Sequence, residues 1–188
     1  MGYILIGAST GGPKFIERIC KELPKCYKHT LCIVQHMGEE FTASFVKNLN
    51  ELSKVDVLEA YSDMKLTCSK VIVAKGGLHL HFKSKFENFY IQLVENKTKM
   101  FVPSVDEMFF SALDILPSQK TMAVLLTGIG DDGAMGMVEL KKRGFYTLAQ
   151  NEQSSPVFGM PKVAYEKGGV DKMLDFDDIL REIINYDP

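Results

Sequence analysis

Short aliphatic runs alternate with amphipathic helical patterns along most of this chain. The runs "YILI", "TLCIV", "KVIVA" and "TMAVLL" each end near a glycine or a polar cluster, as strands buried on both faces do. Two further candidate strands are "VDVLEA" from Val55 and "FYTLA" from Phe145. This alternation predicts an α/β fold with a single doubly wound, mostly parallel sheet flanked by helices.

The segments between the runs carry apolar residues at the helical period. The first has Pro13 in its opening turn and ends at Pro24, with an apolar face of Phe15, Ile16, Ile19, Cys20 and Leu23. A second follows "QHMGEE", with an apolar face of Phe41, Phe45, Val46, Leu49 and Leu52. In "PSVDEMFFSALDIL", Ser104 and Glu107 have the spacing of a capping box. "DDGAMGMVELKKRG" predicts a helix that closes at Gly144.

The segment "GGLHLHFKSKFENFYIQLVEN" is the exception to this alternation. Its period of two and a turn at Asn88 predict an antiparallel hairpin at the edge or flank of the sheet. His79 and His81 alternate on the first strand, so they share a face. They could bind a metal, but no third ligand lies nearby in the sequence. We therefore interpret them as residues of an exposed hairpin face.

Charge and hydropathy exclude several classes of function. The formal net charge of -2 gives no basic excess for nucleic-acid binding. The apolar runs are too short to span a bilayer, and the start of the chain lacks the basic flank of a signal peptide. These features predict a cytoplasmic protein without membrane insertion. The four cysteines form no C-x-x-C pair and are interpreted as buried free thiols: Cys20, Cys26, Cys32 and Cys68.

The first strand leads into Gly7-Ala8-Ser9-Thr10-Gly11, which matches G-x-S-x-G between a predicted strand and a predicted helix. This is the context of a nucleophile elbow, in which glycines let the backbone turn sharply and expose the serine Oγ. Backbone N–H groups at the helix start could then bind a developing oxyanion. The pattern also fits a serine that only caps the helix.

Glycine-rich loops allow a second interpretation, in which backbone amides bind a phosphate. In "GASTGGPK", however, Lys14 follows a proline and no G-K-[ST] is present, so a P-loop is disfavoured. Gly128, Gly130 and Gly133 match G-x-G-x-x-G, but late in the chain and not after the first strand. A nucleotide-binding, Rossmann-like oxidoreductase is therefore the alternative function.

Two more strands are followed by residues that suit acid–base chemistry. His36 comes directly after "TLCIVQ", and Asp131 and Asp132 come after "MAVLLTGIG". Parallel strands bring these residues to the same sheet edge as Ser9, whereas His29 precedes its strand and belongs at the opposite edge. An imidazole is a suitable general base near neutral pH, and a carboxylate can orient it by accepting its Nδ1–H. A loop histidine and a helix-capping aspartate are the alternatives.

Ser9, His36 and Asp132 form a set in the chain order Ser, His, Asp, which differs from the order in α/β-hydrolases. Almost end to end, the chain resembles the catalytic domain of the CheB family of chemotaxis protein-glutamate methylesterases. The resemblance rests on "IGASTGGP", "IVQHM", "VPSVDEMFFSA", "LLTGIGDDGAMGM" and "AQNEQSSPVFGMP", which occur in the order seen in the family. Such agreement is far more specific than any single motif.

The resemblance implies that Ser9 is the nucleophile, His36 the general base and acid, and Asp132 the orienting carboxylate, with Asp131 at a variable position. It also implies hydrolysis of glutamate γ-methyl esters on the cytoplasmic domains of methyl-accepting chemotaxis receptors, with release of methanol. Deamidation of receptor glutamines is a related activity of the family. No cofactor or metal is implied. A non-enzymatic receptor-binding module is less favoured because the triad is intact.

The chain departs from the family pattern at three places. Ile129 stands where the family usually has Met, at a position whose backbone N–H the resemblance assigns to the oxyanion hole. With Thr10 and Gly11, it completes the expected oxyanion or substrate-binding set. Gly38 in "QHMG" replaces a proline, and "AKGGLHL" replaces a commoner Ala-Pro start. None of these changes removes a triad residue.

The family motifs extend from Ser9 to "VFGMP", which ends at Pro161, and the tail predicts a final strand and a helix, "DDILREIINY". We therefore expect residues 1–188 to be one methylesterase catalytic domain, without the receiver domain that family members usually carry. The polypeptide should then act without a phosphodonor, and acetyl phosphate should change its rate little.

Overall fold

A computed structural model describes residues 1–96 and 98–188, and its main sheet has seven parallel strands. In chain order these strands are β1 (Tyr3–Ala8), β2 (Thr30–Gln35), β3 (Asp56–Glu59), β4 (Lys70–Val73), β7 (Thr121–Leu125), β8 (Tyr146–Gln150) and β9 (Lys172–Leu174). A hairpin of β5 (His79–Lys85) and β6 (Asn88–Val94) forms a separate antiparallel sheet. The helices are α1 (Gly12–Glu22), α2 (Glu39–Leu52), α3 (Val105–Ala112), α4 (Ala134–Lys142), α5 (Met160–Glu166) and α6 (Phe176–Ile184).

The strand order β3-β4-β2-β1-β7-β8-β9 places β1 at the centre of the sheet. After β1, the chain first forms the strands on one side of it: β2 is its neighbour, β3 is the edge strand, and β4 then inserts between them. The chain then crosses to β7 on the other side of β1 and continues to β8 and β9. The direction of winding therefore reverses beside β1, and ligands of doubly wound sheets bind at the carboxyl ends of the strands at such a switch point.

Helices cover both faces of the sheet, which confirms the predicted doubly wound α/β class. One buried cluster packs α1, α2 and α6 against Ile4, Ile6 and Ile33. The other packs α3, α4, α5 and the hairpin against Leu5 and Val34. Adjacent strand residues thus enter opposite layers, because strand side chains alternate between faces. The continuous aliphatic runs of the sequence follow from this double burial.

The predicted strands and long helices are confirmed, with local corrections. On α2, Phe41 and Leu52 are exposed, although the helical period placed both on the apolar face. The hairpin turn is formed by Phe86 and Glu87, both at positive φ, while Asn88 already pairs with Lys85. Helix α5 was not predicted, because seven residues are too few to show a helical period.

The cysteines lack disulfides in the described part of the chain. Cys20 and Cys32 are buried, as predicted, and burial raises the pKa of the Cys20 thiol to about 12. Cys26 and Cys68 are exposed, so the prediction of burial was wrong for these two. Among the described residues, no helix has the length and apolarity needed to cross a membrane.

His29 lies at the sheet edge opposite to the carboxyl ends of the strands, as predicted, and joins two distant segments. Its Nδ1 accepts a hydrogen bond from the Gly2 N–H at 2.8 Å, and its Nε2 lies 2.8 Å from the Tyr186 carbonyl oxygen. An Nδ1 that accepts from a backbone N–H carries no proton, so the folded state holds His29 neutral. Burial lowers its pKa, although the bond to Tyr186 acts in the opposite direction.

The unfolding free energy should therefore fall as the pH decreases below about 6.5, the ordinary pKa of histidine. In that range the unfolded chain binds the proton more readily than the folded chain does, and protonation breaks the bond from Gly2. Urea unfolding of wild type and His29→Gln at pH 7.5 and 5.5 tests this, because other titrating groups are common to both proteins. Wild type should lose more stability on acidification than His29→Gln. Equal losses would contradict the conclusion that the folded state holds His29 neutral.

Candidate active site

Ser9 and His36 follow β1 and β2 at the same level of the sheet. Ala8 is paired with Gln35, and the His36 N–H donates to the Ala8 carbonyl at 3.0 Å. Neighbouring strands lie about 4.8 Å apart, so the next residue on each strand emerges beside the other. The alternation of side chains directs both residues toward the layer formed by α3, α4 and the hairpin. The prediction that Ser9 and His36 lie at the same sheet edge is therefore confirmed, since β1 and β2 are neighbours.

Two backbone hydrogen bonds and one from a side chain hold the Ser9 peptide in place. Its N–H donates to the Thr127 carbonyl, just beyond β7, at 2.9 Å. Its carbonyl accepts from the Gly12 N–H at 2.8 Å and from Gln35 Nε2 at 3.0 Å. Gln35 Nε2 also lies 3.1 Å from the His36 carbonyl, so one side chain ties the two backbones together. Sequence reasoning had not singled out Gln35.

Asp132 reaches His36 from the loop between β7 and α4. Its Oδ2 lies 2.7 Å from His36 Nε2 and accepts from the Val105 N–H at 2.7 Å. Its Oδ1 accepts from Ser104 Oγ at 2.8 Å and from the Asp106 N–H at 3.0 Å. The carboxylate thus caps the first turn of α3, a stretch that precedes it in the sequence. The alternative that Asp132 caps the helix following it is wrong, since Gly133 is the N-cap of α4 and makes no side-chain cap.

These four donors keep Asp132 ionised. Its burial alone would raise the pKa of the carboxyl group, since burial disfavours charge. The bonds from His36, Asp106, Val105 and Ser104 outweigh that effect, and the pKa of Asp132 lies below its ordinary value. Because an ionised carboxylate can only accept hydrogen bonds, His36 Nε2 must carry the proton in this pair.

The His36 ring is buried and is held by two contacts. The side chain is 7% exposed, Nε2 donates to Asp132, and the Phe101 ring is stacked on it with centroids 4.1 Å apart. Nδ1 is buried and has no hydrogen-bond partner among the described residues. The expectation that the carboxylate would accept from Nδ1 is therefore wrong. Asp132 reaches the ring from the loop between β7 and α4 and meets Nε2, so Nδ1 is the ring nitrogen without a partner.

The residues expected to bind an oxyanion lie around the Ser9 loop. Gly11 is the N-cap of α1 with φ 81°, a left-handed conformation that glycine adopts without strain. Within residues 1–96 and 98–188, the backbone N–H groups of Thr10, Gly11 and Ile129 donate no hydrogen bond. The Ile129 side chain is 59% exposed. All three groups thus remain candidate donors.

A shallow cavity of ≈ 150 Å³ lies on the Asp132 side of this site. Asp131 is exposed in this cavity, and its backbone carbonyl accepts from the Ala134 N–H at 3.0 Å. The other residues that line it are Lys99, Met100, Phe101, Ser104, Asp106 and Asp132. In the described part of the chain, no group of three or more His, Cys, Asp or Glu residues is placed to hold a metal ion.

The two hairpin histidines differ from what was predicted. His79 is fully buried, so its assignment to an exposed face is wrong. His81 is partly buried, with Nε2 at 3.0 Å from Glu107 Oε2. The period of two correctly placed both residues on one face, but this face packs against α3. Nothing in the strand pattern indicated what would cover it.

Gly128, one residue beyond Thr127, approaches Ser9 closely. A Cβ added at Gly128 would lie 2.7 Å from Ser9 Cβ and 2.2 Å from Met160 Sδ. The thioether can move, whereas Ser9 is held by its backbone. Gly128→Ala should therefore displace Ser9 and reduce kcat for the reaction of this site about 100-fold, the effect of moving a catalytic group by roughly 1 Å.

The control for this substitution is Gly144→Ala. Gly144 has φ 80°, and an added Cβ would meet nothing within 4 Å. Gly144→Ala should cost about 1 kcal/mol of stability through backbone strain and leave kcat unchanged. Equal kcat for the two variants would mean that the contact between Gly128 and Ser9 has no catalytic importance.

The doubly wound α/β sheet carries a serine and a histidine–carboxylate pair at its switch point. This arrangement is that of a candidate serine hydrolase. Residues 4–183 match the family model described as CheB methylesterase. The chain belongs to this family, as the resemblance of its motifs predicted.

Curated relatives agree with this assignment. One, a protein-glutamate methylesterase/protein-glutamine glutaminase 2 from Carboxydothermus hydrogenoformans, is 42% identical over 96% of this chain and 52% of its own length. Another with the same name, from Rhizobium johnstonii, is 43% identical over 96% of this chain and 49% of its own length. The chain therefore spans about half the length of these relatives. The crystal structure of the Thermotoga maritima CheB methylesterase catalytic domain is similar, with a TM-score of 0.92, 34% identity and 97% of both chains covered.

Proposed function

We propose that residues 1–188 form a methylesterase catalytic domain that hydrolyses glutamate γ-methyl esters on the cytoplasmic domains of methyl-accepting chemotaxis receptors. The observation that carries this proposal is the 2.7 Å contact between His36 and Asp132, in register with Ser9 at the switch point. The names of the curated relatives indicate two substrates, the methyl ester of a protein glutamate side chain and the amide of a protein glutamine side chain. Coverage of nearly the whole Thermotoga catalytic domain supports the domain assignment.

In this mechanism Ser9 Oγ attacks the ester carbonyl carbon while His36 Nδ1 takes the hydroxyl proton. Asp132 stabilises the resulting imidazolium through Nε2–H. Nδ1 is the nitrogen available for this role because Nε2 is already bonded to Asp132. The tetrahedral intermediate collapses as Nδ1–H protonates the departing methoxide, which leaves as methanol. Water, deprotonated by Nδ1, then releases the glutamate carboxylate and regenerates Ser9.

The developing oxyanion needs donors that are already oriented. The N–H groups of Thr10, Gly11 and Ile129 are the proposed donors, because Thr10 and Gly11 follow Ser9, Ile129 follows Gly128, and none of them donates to another group in the described chain. The same steps convert a glutamine side chain, with ammonia leaving in place of methanol. Deamidation of receptor glutamines is thus the second reaction proposed for this site.

The alternative, a nucleotide-binding oxidoreductase, is disfavoured by the chemistry of the loop before α4. A dinucleotide site offers the first amides of this helix to a pyrophosphate. Here Asp106 Oδ1 accepts from the Gly136 N–H at 2.7 Å. Asp131 and Asp132 occupy the same loop, so an incoming phosphate would meet carboxylates. The family assignment points away from the oxidoreductase as well.

Methanol release from a methylated receptor fragment tests the proposed function. The wild-type chain should release methanol and leave glutamate at the methylated positions, identified by peptide mass spectrometry. Incubation of a glutamine-containing fragment should release ammonia at the same site. No release from either substrate, together with tight and specific binding of NAD or NADP in calorimetry, would favour the alternative.

A further inference from the structure

His79 lies on β5 and is fully buried, and both of its ring nitrogens are bonded to the backbone. Nδ1 accepts from the Ser104 N–H at 3.1 Å, so it carries no proton. Nε2 then bears the proton and donates to the Asn96 carbonyl oxygen at 2.8 Å. The two contacts fix both the tautomer and the orientation of the ring. A buried imidazole with this arrangement holds Ser104 in one position.

Ser104 is the N-cap of α3, and the cap is unusual. Its Oγ accepts from the Glu107 N–H at 3.3 Å, which is half of the predicted capping box. In the complete box, the Glu107 side chain would bond the Ser104 N–H. Instead, the Glu107 carboxylate pairs with His81 at 3.0 Å and Lys99 at 3.3 Å. His79, from a separate sheet, supplies the missing bond.

The capped turn is also the cradle of Asp132. Ser104 Oγ donates to Oδ1, and the N–H groups of Val105 and Asp106 donate to Oδ2 and Oδ1. Any shift of this turn therefore moves the carboxylate relative to His36 Nε2. An unbroken series of hydrogen bonds leads from His79 through Ser104 and Asp132 to His36.

We propose that His79 is a positioning residue for this site: through Ser104 it places the Asp132 carboxylate so that His36 Nδ1 is aimed as the general base. This inference rests on the proposed function of the site. His79 is fully buried and its ring bonds the backbone of Ser104 and Asn96, not Ser9 or His36. We therefore expect its effect on turnover and not on substrate affinity.

The test compares His79→Leu, which removes the acceptor, with His79→Gln, whose amide can accept from Ser104 and donate to Asn96. His79→Leu should reduce kcat about 100-fold, as expected for a small displacement of a catalytic group, with KM unchanged. The acid limb of its pH–rate profile should move to lower pH, because the imidazolium form loses part of its partner. His79→Gln should recover most of the activity.

A second readout does not depend on turnover. The His36 Nε2 proton, in a short bond to Asp132, should give a downfield ¹H resonance in protein labelled with ¹⁵N-histidine. This resonance should be weakened or shifted in His79→Leu and restored in His79→Gln. If wild type releases no methanol, the proposed function fails, and the resonance alone decides the positioning role.

His81→Leu is the matched control, because His81 shares the strand and face of His79 but contacts Glu107 and not Ser104. It should retain wild-type kcat and the wild-type resonance.

In an Asp132→Asn background, His79→Leu should add little further loss, since the two residues act through one series of bonds. Should His79→Leu fail to fold, His79→Phe replaces it, because it keeps a ring but lacks the acceptor for the Ser104 N–H, and it should lower kcat and alter the resonance. Unchanged kcat and resonance in the folded variant would overturn the proposal.

Discussion

Replacing Ser9 with alanine should abolish nearly all release of methanol from methylated receptor while leaving the fold intact. Triad residues act as a unit, and loss of the nucleophile costs about 10⁶ in kcat in a serine-protease precedent. The fold should survive because Ser9 is held by backbone bonds to Thr127 and Gly12 and by Gln35, all of which alanine can make.

The measurement is methanol release and thermal unfolding for wild type, Ser9→Ala and Ser44→Ala. Ser44 lies on α2, and its Oγ donates to the Phe41 carbonyl, so the control removes a hydroxyl without touching the site. Ser9→Ala should unfold at the same temperature as wild type, and Ser44→Ala should retain full activity. Substantial methanol release by Ser9→Ala would remove Ser9 from the role of nucleophile.

Asp132→Asn should reduce kcat by about 10⁴ or more, the loss seen when asparagine holds a catalytic histidine in the wrong tautomer. Here the damage extends further, because both carboxylate oxygens accept from backbone N–H groups, those of Val105 and Asp106. An asparagine NH₂ group on either side meets a donor. We therefore also expect a loss of about 1 kcal/mol in stability, the usual effect of losing a helix N-cap.

Asp131→Asn is the matched control for this prediction. Asp131 is the neighbouring residue, its side chain is exposed, and it contributes its backbone carbonyl to the loop. Exposed substitutions usually change free energies by about 0.5 kcal/mol or less. Asp131→Asn should therefore change kcat less than threefold. Methanol release and urea unfolding on both variants give the comparison. If Asp131→Asn proves the more damaging, the wrong aspartate has been assigned to His36.

The sequence predicted the sheet well because its strands are buried on both faces. Continuous aliphatic runs such as "YILI" and "TLCIV" are distinctive, and they correspond to β1 and β2. The same reasoning was less successful on α2, where Phe41 and Leu52 fit the period but lie beyond the region that the sheet covers. Periodicity gives the direction in which a side chain points, but not how far the neighbouring layer extends.

The candidate site could be predicted in outline because parallel strands end at one edge. Ser9, His36 and Asp132 were located by their places after strands, and the structure brings His36 and Asp132 into contact. What the sequence lacked was information about partners from other elements. That Asp132 caps α3, that Nε2 meets it, and that His79 is buried all depend on how the hairpin and α3 pack.

The hydrogen bonds at the switch point join residues that are remote in the chain. His36 and Asp132 are 96 residues apart, and the Thr127 hydroxyl bonds the Thr10 carbonyl across 117 residues. Closing loops of this length is entropically unfavourable until β1 is paired on both sides, which makes folding slow compared with that of helical bundles. Because the candidate site draws on both sides of β1, we expect activity to return during refolding only as the central sheet is completed.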